Sequence, residues 1–127
     1  MGVIIIGAGD VGFYLAKRLI KEKKDVLVIE KDERKVRRLT DEVNCKAINA
    51  SGSDPRVLKE AGIEKAEMLI AVTNSDEVNI AACMIAGMLT NVPTKICRSC
   101  FKLSSSSNGI PKSLHLPVIL APISRTF

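Results

Sequence analysis

The chain begins with a glycine-rich turn between an apolar run and an amphipathic segment, and this arrangement constrains the fold more than any other feature. Val3 to Ile6 is apolar, Gly7-Ala8-Gly9-Asp10-Val11-Gly12 follows, and apolar residues then recur at helical spacing. A strand, a tight turn and a helix are therefore predicted in succession. The first glycine permits the turn, the second leaves room for a phosphate at the backbone, and the third lets helix and strand pack closely.

An acidic residue follows at the position that this kind of turn requires. Glu30 closes a second apolar run, 18 residues beyond the last glycine of the motif. There its carboxylate can accept hydrogen bonds from both ribose hydroxyls of an adenosine, while backbone amides at the helix start face an anion. The spacing favours a nucleotide site. A glycine-rich turn without a ligand is the alternative.

The rest of the chain alternates short apolar runs with helical segments. This alternation predicts an α/β fold, a Rossmann-like doubly wound parallel sheet with helices on both faces. A composition with 46% hydrophobic but only 3% aromatic residues agrees with an aliphatic core. Strands are predicted at Val3 to Ile6, Val26 to Ile29, Lys46 to Asn49, Met68 to Val72 and Thr94 to Arg98, and helices from about Asp10, from Asp32 to Thr40, from Asp54 to Ala61 and from Glu77 to Leu89.

The composition changes after Arg98. We expect residues 1–98 to form one nucleotide-binding domain and residues 99–127 to be a divergent tail, because a serine run leads there into a proline-punctuated stretch without acidic residues. Leu116 to Leu120 could form a last strand. The 127 residues suit one domain and are few for a two-domain dehydrogenase.

Charge and hydropathy argue against nucleic-acid binding and against a membrane-spanning segment. The net charge is +5, but basic and acidic residues are interleaved and aromatic residues for base stacking are scarce, so nucleic-acid binding is not expected. No apolar run approaches the roughly 20 residues that cross a membrane, and no basic leader precedes the first strand. We expect a cytoplasmic location.

The four cysteines include one closely spaced pair, Cys97 and Cys100. A zinc site would normally need a second pair or histidines, and His115 is the only histidine. We therefore predict no metal site and reduced thiols, with a redox or metal role for the pair as the alternative.

The predicted fourth helix is apolar on most of its faces. Its apolar residues exceed what one face of a sheet can bury, which favours a protein interface, with a fully buried helix as the alternative. They are Ile80, Ala81, Ala82, Cys83, Met84, Ile85, Ala86, Met88 and Leu89.

With these segments in place, the chain from Met1 to Arg98 resembles the N-terminal nucleotide-binding domain of Trk-type potassium-uptake regulatory subunits, a family also described as RCK or KTN domains. The resemblance rests on the glycine motif and on eight further segments. These are Val28-Ile29-Glu30-Lys31-Asp32, Ser51-Gly52-Ser53-Asp54-Pro55, Val57-Leu58, Ala61-Gly62-Ile63, Ala66-Glu67, Ile70-Ala71-Val72-Thr73, Asp76-Glu77-Val78-Asn79 and Lys95-Ile96-Cys97-Arg98.

The resemblance implies a function, a ligand and the residues that hold it. It implies a regulatory subunit rather than an enzyme, a homo-oligomer assembled partly through the fourth helix, and a membrane potassium transporter as partner at the inner face of the cell membrane. The implied ligand is NAD or NADH, with ATP or ADP as alternatives. Phosphates would lie on Gly7, Ala8, Gly9, Asp10 and Val11, the ribose on Glu30, the adenine beside Ser51 and Gly52, and the rest of the cleft on Thr73 and Asn74, with Arg98 on a phosphate.

A small NAD-dependent oxidoreductase is the rival hypothesis, and catalytic residues are hard to find for it. The single tyrosine, Tyr14, is followed four residues later by Arg18, where a Tyr-x-x-x-Lys pair would need lysine. Glu30 disfavours a 2′-phosphate by charge repulsion, so NADP is not expected.

Overall fold

The first apolar run forms a central strand of the sheet in the computed structural model, which describes residues 2–90, 92, 94–98 and 118–120. Six strands and four α-helices lie within these ranges. The strands are β1 (Gly2–Ile6), β2 (Asp25–Glu30), β3 (Lys46–Asn49), β4 (Ala66–Ala71), β5 (Thr94–Cys97) and β6 (Val118–Leu120), and the helices are α1 (Asp10–Lys21), α2 (Glu33–Arg38), α3 (Pro55–Glu60) and α4 (Asp76–Leu89).

The strands lie in the order β3-β2-β1-β4-β5-β6. The five strands from β1 to β5 pair in parallel, which confirms the predicted doubly wound sheet. The strand order reverses between β1 and β4, and such a reversal opens a crevice at the carboxyl ends of the strands. At one edge of the sheet a sixth strand, β6, for which no direction was predicted, pairs antiparallel to β5. An antiparallel edge strand is common on sheets of this kind.

Alternating side chains of β1 supply two hydrophobic layers. Val3 and Ile5 pack on one face with Ala16 of α1, while Ile4 and Ile6 pack on the other with residues of α3 and α4. Because helices cover both faces, every β1 side chain from Val3 onward is buried, as the unbroken apolar run predicts.

Helix ends differ from the predictions by a few residues. The segment predicted to end at Thr40 continues through a π-helical turn, Leu39–Val43, to Asn44 in the left-handed conformation. Leu39 is fully buried in this turn, so tertiary packing favours the extra turn. The predicted cap of α3 is confirmed, since Asp54 accepts a hydrogen bond from the Arg56 N–H and a proline follows it.

One side of α4 packs against the sheet and the other side is exposed. Ala82, Cys83 and Ala86 are buried, whereas Met84 and Met88 are 59% and 83% exposed. The alternative of a fully buried helix is therefore wrong for this chain. Within the described ranges, no helix combines the length and the apolar character needed to cross a membrane. The serine run, His115 and Cys100 lie outside the described residues.

Candidate functional site

The three glycines of the first turn have different surroundings. Gly7 has φ of +102°, and a Cβ there would lie 2.9 Å from the Thr73 backbone N. A Cβ at Gly12 would overlap the Gly7 carbonyl oxygen, which confirms close packing of helix and strand at the third glycine. A Cβ at Gly9 would meet nothing within 4 Å. The first and third glycines are therefore required by the fold, and the second faces open space.

Glu30 holds the turn to the start of α2. Its Oε2 accepts a hydrogen bond from the Ala8 N–H at 2.6 Å, and its Oε1 accepts one from the Asp32 N–H at 2.8 Å. Each carboxylate oxygen can accept a further hydrogen bond. Glu30 thus lies where the sequence places it, at the end of β2, and it has a structural contact that the sequence did not predict.

Asp32 extends this arrangement into α2. Its carboxylate accepts a hydrogen bond from the Arg34 N–H at 2.9 Å, and that bond holds the pKa of the carboxyl below its usual range. Glu30 and Asp32 both line the crevice at the end of β2. Lys31 and Lys35 line it too, so the lining carries both signs of charge.

The crevice at the strand reversal is a cleft of about 330 Å³. Its walls come from the ends of four neighbouring strands, as a nucleotide crevice of a doubly wound sheet requires. The lining residues are Ile6, Gly7, Gly9, Ile29, Glu30, Lys31, Asp32, Lys35, Ala50, Ser51, Gly52, Val72, Thr73, Asn74, Ser75 and Val78.

Gly52 closes the cleft against the first strand. It is buried, and a Cβ there would overlap the Ile6 side chain. Ser51 is exposed, and its hydroxyl lies 3.0 Å from that of Ser53. An apolar floor beside a small polar loop suits the edge and face of a flat heterocycle.

Thr73 and the end of β5 are joined by a residue that sequence reasoning did not select as a site residue. Asn79 of α4 is the one fully buried polar side chain among the described residues. Its Oδ1 accepts from the Thr73 N–H at 2.9 Å, and its Nδ2 donates to the Arg98 carbonyl at 2.7 Å. An amide on the buried side of an apolar helix is the sequence signal that could have identified it.

The structure brings seven of the eleven predicted site residues to the cleft lining. These are Gly7, Gly9, Glu30, Ser51, Gly52, Thr73 and Asn74. Ala8, Asp10, Val11 and Arg98 are outside the lining; the Ala8 N–H is bonded to Glu30, and Arg98 is exposed while its backbone N–H donates to the Ala71 carbonyl. Their phosphate contacts stay predictions. Lys35, which was not predicted, lies in the lining.

Three cysteines within the described ranges are buried free thiols. Burial raises the pKa of the Cys45 thiol to about 11 and that of Cys83 to about 12, because the apolar surroundings disfavour the thiolate. Cys97 packs in the same apolar cluster as Cys83, and Cys100, the other member of the predicted pair, lies outside the described residues.

The family model of the TrkA-N domain matches residues 3–102, which is most of the chain. The chain belongs to the TrkA-N domain family. This TrkA-N domain is 48% identical over 98 residues to the Trk system potassium uptake protein TrkA of Azorhizobium caulinodans, and 47% identical over 98 residues to that of Halomonas elongata. Each match covers 77% of this chain and 21% of the relative, so the chain spans about a fifth of the length of these curated relatives.

A solved structure confirms the fold. The NAD(P)-binding domain of an exopolyphosphatase-related protein from Archaeoglobus fulgidus superposes with a TM-score of 0.65 and 24% identity. The superposition covers 71% of this chain and 67% of that domain. The TrkA-N domain described here therefore has the Rossmann-like fold of nucleotide-binding domains.

Proposed function

We propose that this TrkA-N domain binds an adenine nucleotide in the cleft and acts as the sensing part of a potassium uptake system. The observation that carries the proposal is the open Gly9 backbone beside the Glu30 carboxylate, at the point where the strand order reverses. The names of its curated relatives, Trk system potassium uptake proteins, support the potassium uptake part.

The residues present fit an adenosine diphosphate group. Gly9 stands immediately before α1, so a phosphate can approach the helix start without meeting a side chain. Glu30 would hold the ribose through the free acceptor capacity of its two oxygens. Ser51 and Gly52 would border the adenine, with Thr73 and Asn74 opposite them. NAD, NADH, ATP and ADP share this group, and we propose NAD or NADH as the ligand, with ATP or ADP as the alternative.

The acidic end of β2 opposes a 2′-phosphate. Glu30 and Asp32 both line the cleft, and their carboxylates would repel an additional phosphate on the ribose. Lys31 and Lys35 also line the cleft and oppose this effect. We propose that the carboxylates dominate because Glu30 is fixed by two backbone hydrogen bonds.

Regulation then requires no bond chemistry. A nucleotide that binds one conformation of the domain more tightly than another shifts the population towards it, and subunit contacts pass the change to a membrane potassium transporter at the cytoplasmic face. The exposed side of α4 supports a homo-oligomer. Ile80, Met84 and Met88 are spaced by four residues along it, which places them on one stripe.

An oxidoreductase is the second candidate, because the fold is shared with NAD-dependent enzymes. Tyr14 is 61% exposed on α1 and is outside the cleft lining, so it is poorly placed to assist hydride transfer there. We therefore propose a binding domain rather than an enzyme.

Calorimetric titration with NADH, NAD, ATP, ADP and NADPH tests the proposal. We expect NADH or another of the first four nucleotides to bind, and Glu30→Ala to weaken that binding at least tenfold, as loss of hydrogen bonds to a charged acceptor does. Glu33→Ala is the matched control, since this carboxylate is exposed on α2, pairs with Arg37 and is outside the lining.

Thermal melting must first show that both variants are folded. Absence of binding by the folded wild-type chain would refute the proposal, and equal affinity of the two variants would refute the role of Glu30. Solution scattering with and without the bound nucleotide then tests sensing, and an unchanged shape under every ligand would contradict it.

A further inference from the structure

We propose that Asn79 is a positioning residue that couples the nucleotide cleft to the end of β5. The inference rests on the proposed function, and it assigns the path by which occupancy of the cleft reaches Arg98. Asn79 itself is outside the cleft lining and is fully buried in α4. It therefore acts through the residues that it holds.

One side-chain amide binds both polar groups of the Thr73 backbone. Asn79 Oδ1 accepts from the Thr73 N–H at 2.9 Å, and Asn79 Nδ2 donates to the Thr73 carbonyl at 3.1 Å. The Thr73 hydroxyl also lies 2.7 Å from Asn79 Oδ1. Asn79 thus pairs with Thr73 as a neighbouring strand would, and it fixes a residue of the cleft wall.

The same amide reaches the next strand. The pairing of β4 with β5 ends at Ala71 and Cys97, and the Arg98 N–H makes the last backbone bond, to the Ala71 carbonyl at 2.9 Å. Beyond that point Asn79 Nδ2 donates to the Arg98 carbonyl at 2.7 Å. Asn79 therefore continues the connection between the two strands past the place where their own hydrogen bonds stop.

A ligand that displaces Thr73 must move this amide or break its hydrogen bonds. Both protons of the Asn79 amide are used, one on Thr73 and one on Arg98, and Asn79 itself is closed to water. Breaking either bond would leave a buried polar group without a partner, which is costly. A change at Thr73 is therefore transmitted to the Arg98 carbonyl.

The substitution Asn79→Asp keeps the side chain's acceptor for the Thr73 N–H and removes its two donors. The carboxylate keeps an acceptor for the Thr73 N–H, but it turns an oxygen towards the Thr73 and Arg98 carbonyls, where the amide donated. Cys83→Ala is the control. Cys83 is buried one turn further along α4 against β5. This variant therefore weakens the packing of α4 on β5 without changing a contact of Thr73 or Arg98.

The experiment follows amide resonances by two-dimensional NMR while NADH, or the nucleotide that calorimetry identifies, is titrated into the full chain. In the wild type we expect the resonances of the Thr73 amide, the Asn79 side-chain amide and the Arg98 amide to shift with a common dissociation constant. In Asn79→Asp we expect about tenfold weaker binding, the equivalent of one lost hydrogen bond, and less than half the Arg98 shift at saturation. Cys83→Ala should melt at a lower temperature but keep wild-type affinity and the full shift.

A direct contact of the Arg98 side chain with a phosphate would also shift its amide. Arg98→Gln removes the guanidinium and keeps the carbonyl that Asn79 holds, so the shift at position 98 should persist in this variant. Loss of the shift in Arg98→Gln would overturn the inference. So would a full Arg98 response in Asn79→Asp, or equal weakening by Cys83→Ala.

The wild-type titration keeps the test decisive if Asn79→Asp does not fold. A nucleotide that binds and shifts Thr73 without shifting the Asn79 side-chain amide and Arg98 overturns the coupling and leaves the proposed function standing. A wild-type chain that binds no nucleotide overturns the proposed function and the coupling with it.

Discussion

Replacing Gly12 and Gly9 one at a time by alanine should show that Gly12 is needed for folding and Gly9 for nucleotide binding. In Gly12→Ala, the new Cβ would overlap the Gly7 carbonyl oxygen and lie 2.9 Å from the Gly7 carbonyl carbon. Carbon atoms normally pack at about 3.5 Å or more, so helix and turn must separate by at least about 0.6 Å. In Gly9→Ala, the new Cβ meets no atom within 4 Å, and φ is −68°, which alanine adopts readily.

The expected energies follow from these contacts. The two Gly7 atoms that the new Cβ of Gly12→Ala would overlap belong to the backbone and cannot rotate away. We therefore expect the free energy of unfolding to fall by about 3 kcal/mol, near the upper end of the values for overpacked sites. At about 4 °C per kcal/mol for a domain of this size, the melting temperature should fall by about 12 °C. Gly9→Ala should change stability by less than about 1 kcal/mol, and it should weaken nucleotide binding because its methyl group occupies the approach to the helix start.

Thermal melts followed by circular dichroism, together with calorimetric titration of each variant, provide the assay. A Gly12→Ala protein that melts within about 3 °C of the wild type would refute the argument that α1 and the turn at Gly7 touch there. Full nucleotide affinity in Gly9→Ala would refute the proposed phosphate position while leaving the fold argument intact.

Two further predictions concern the stability of the core and of α4. Ser75→Ala removes the hydroxyl that accepts the Val78 N–H at 3.3 Å, so stability in urea should fall by about 1 kcal/mol, and an unchanged midpoint would contradict the cap. Burial raises the pKa of the Cys45 and Cys83 thiols to about 11 and about 12, above an ordinary value of 9.0, so the folded state holds the proton more tightly than the unfolded state. This contribution to stability is complete below pH 9 and is lost as the pH rises towards 11 to 12. At pH 8 iodoacetamide should therefore label these thiols only on unfolding, as peptide mass analysis can check, and labelling of the native chain at the unfolded rate would show that the thiols are not buried.

Much of the fold could be predicted because its signals are local. An apolar run predicts a buried strand wherever it occurs, and Asp54 before Pro55 predicts a helix start from the chemistry of two residues. The order of strands and glycines then places the cleft, since parallel strands joined by helices bring their carboxyl ends to one edge. For this reason Gly9, Glu30 and Thr73 could be expected together from the sequence alone.

The features that the sequence did not predict lie where packing decides between local alternatives. The π-helical turn after α2 exists because Leu39 is buried there, and nothing in the adjacent sequence distinguishes this turn from an ordinary helix end. The antiparallel pairing of β6 with β5 joins residues that are far apart in the chain, so no local signal predicts its direction. Partial exposure of α4 depends on which of its sides meets the sheet.

The sequence by itself determined the succession of strands and helices, the position of the three glycines and the acid at the end of β2, because periodicity and turn chemistry act over a few residues. Only the tertiary structure decided that Glu30 holds the Ala8 N–H and that Asn79 joins Thr73 to Arg98. These hydrogen bonds link segments up to 22 residues apart. They form only when the strands that place these residues have the correct register, and packing of the whole sheet sets that register.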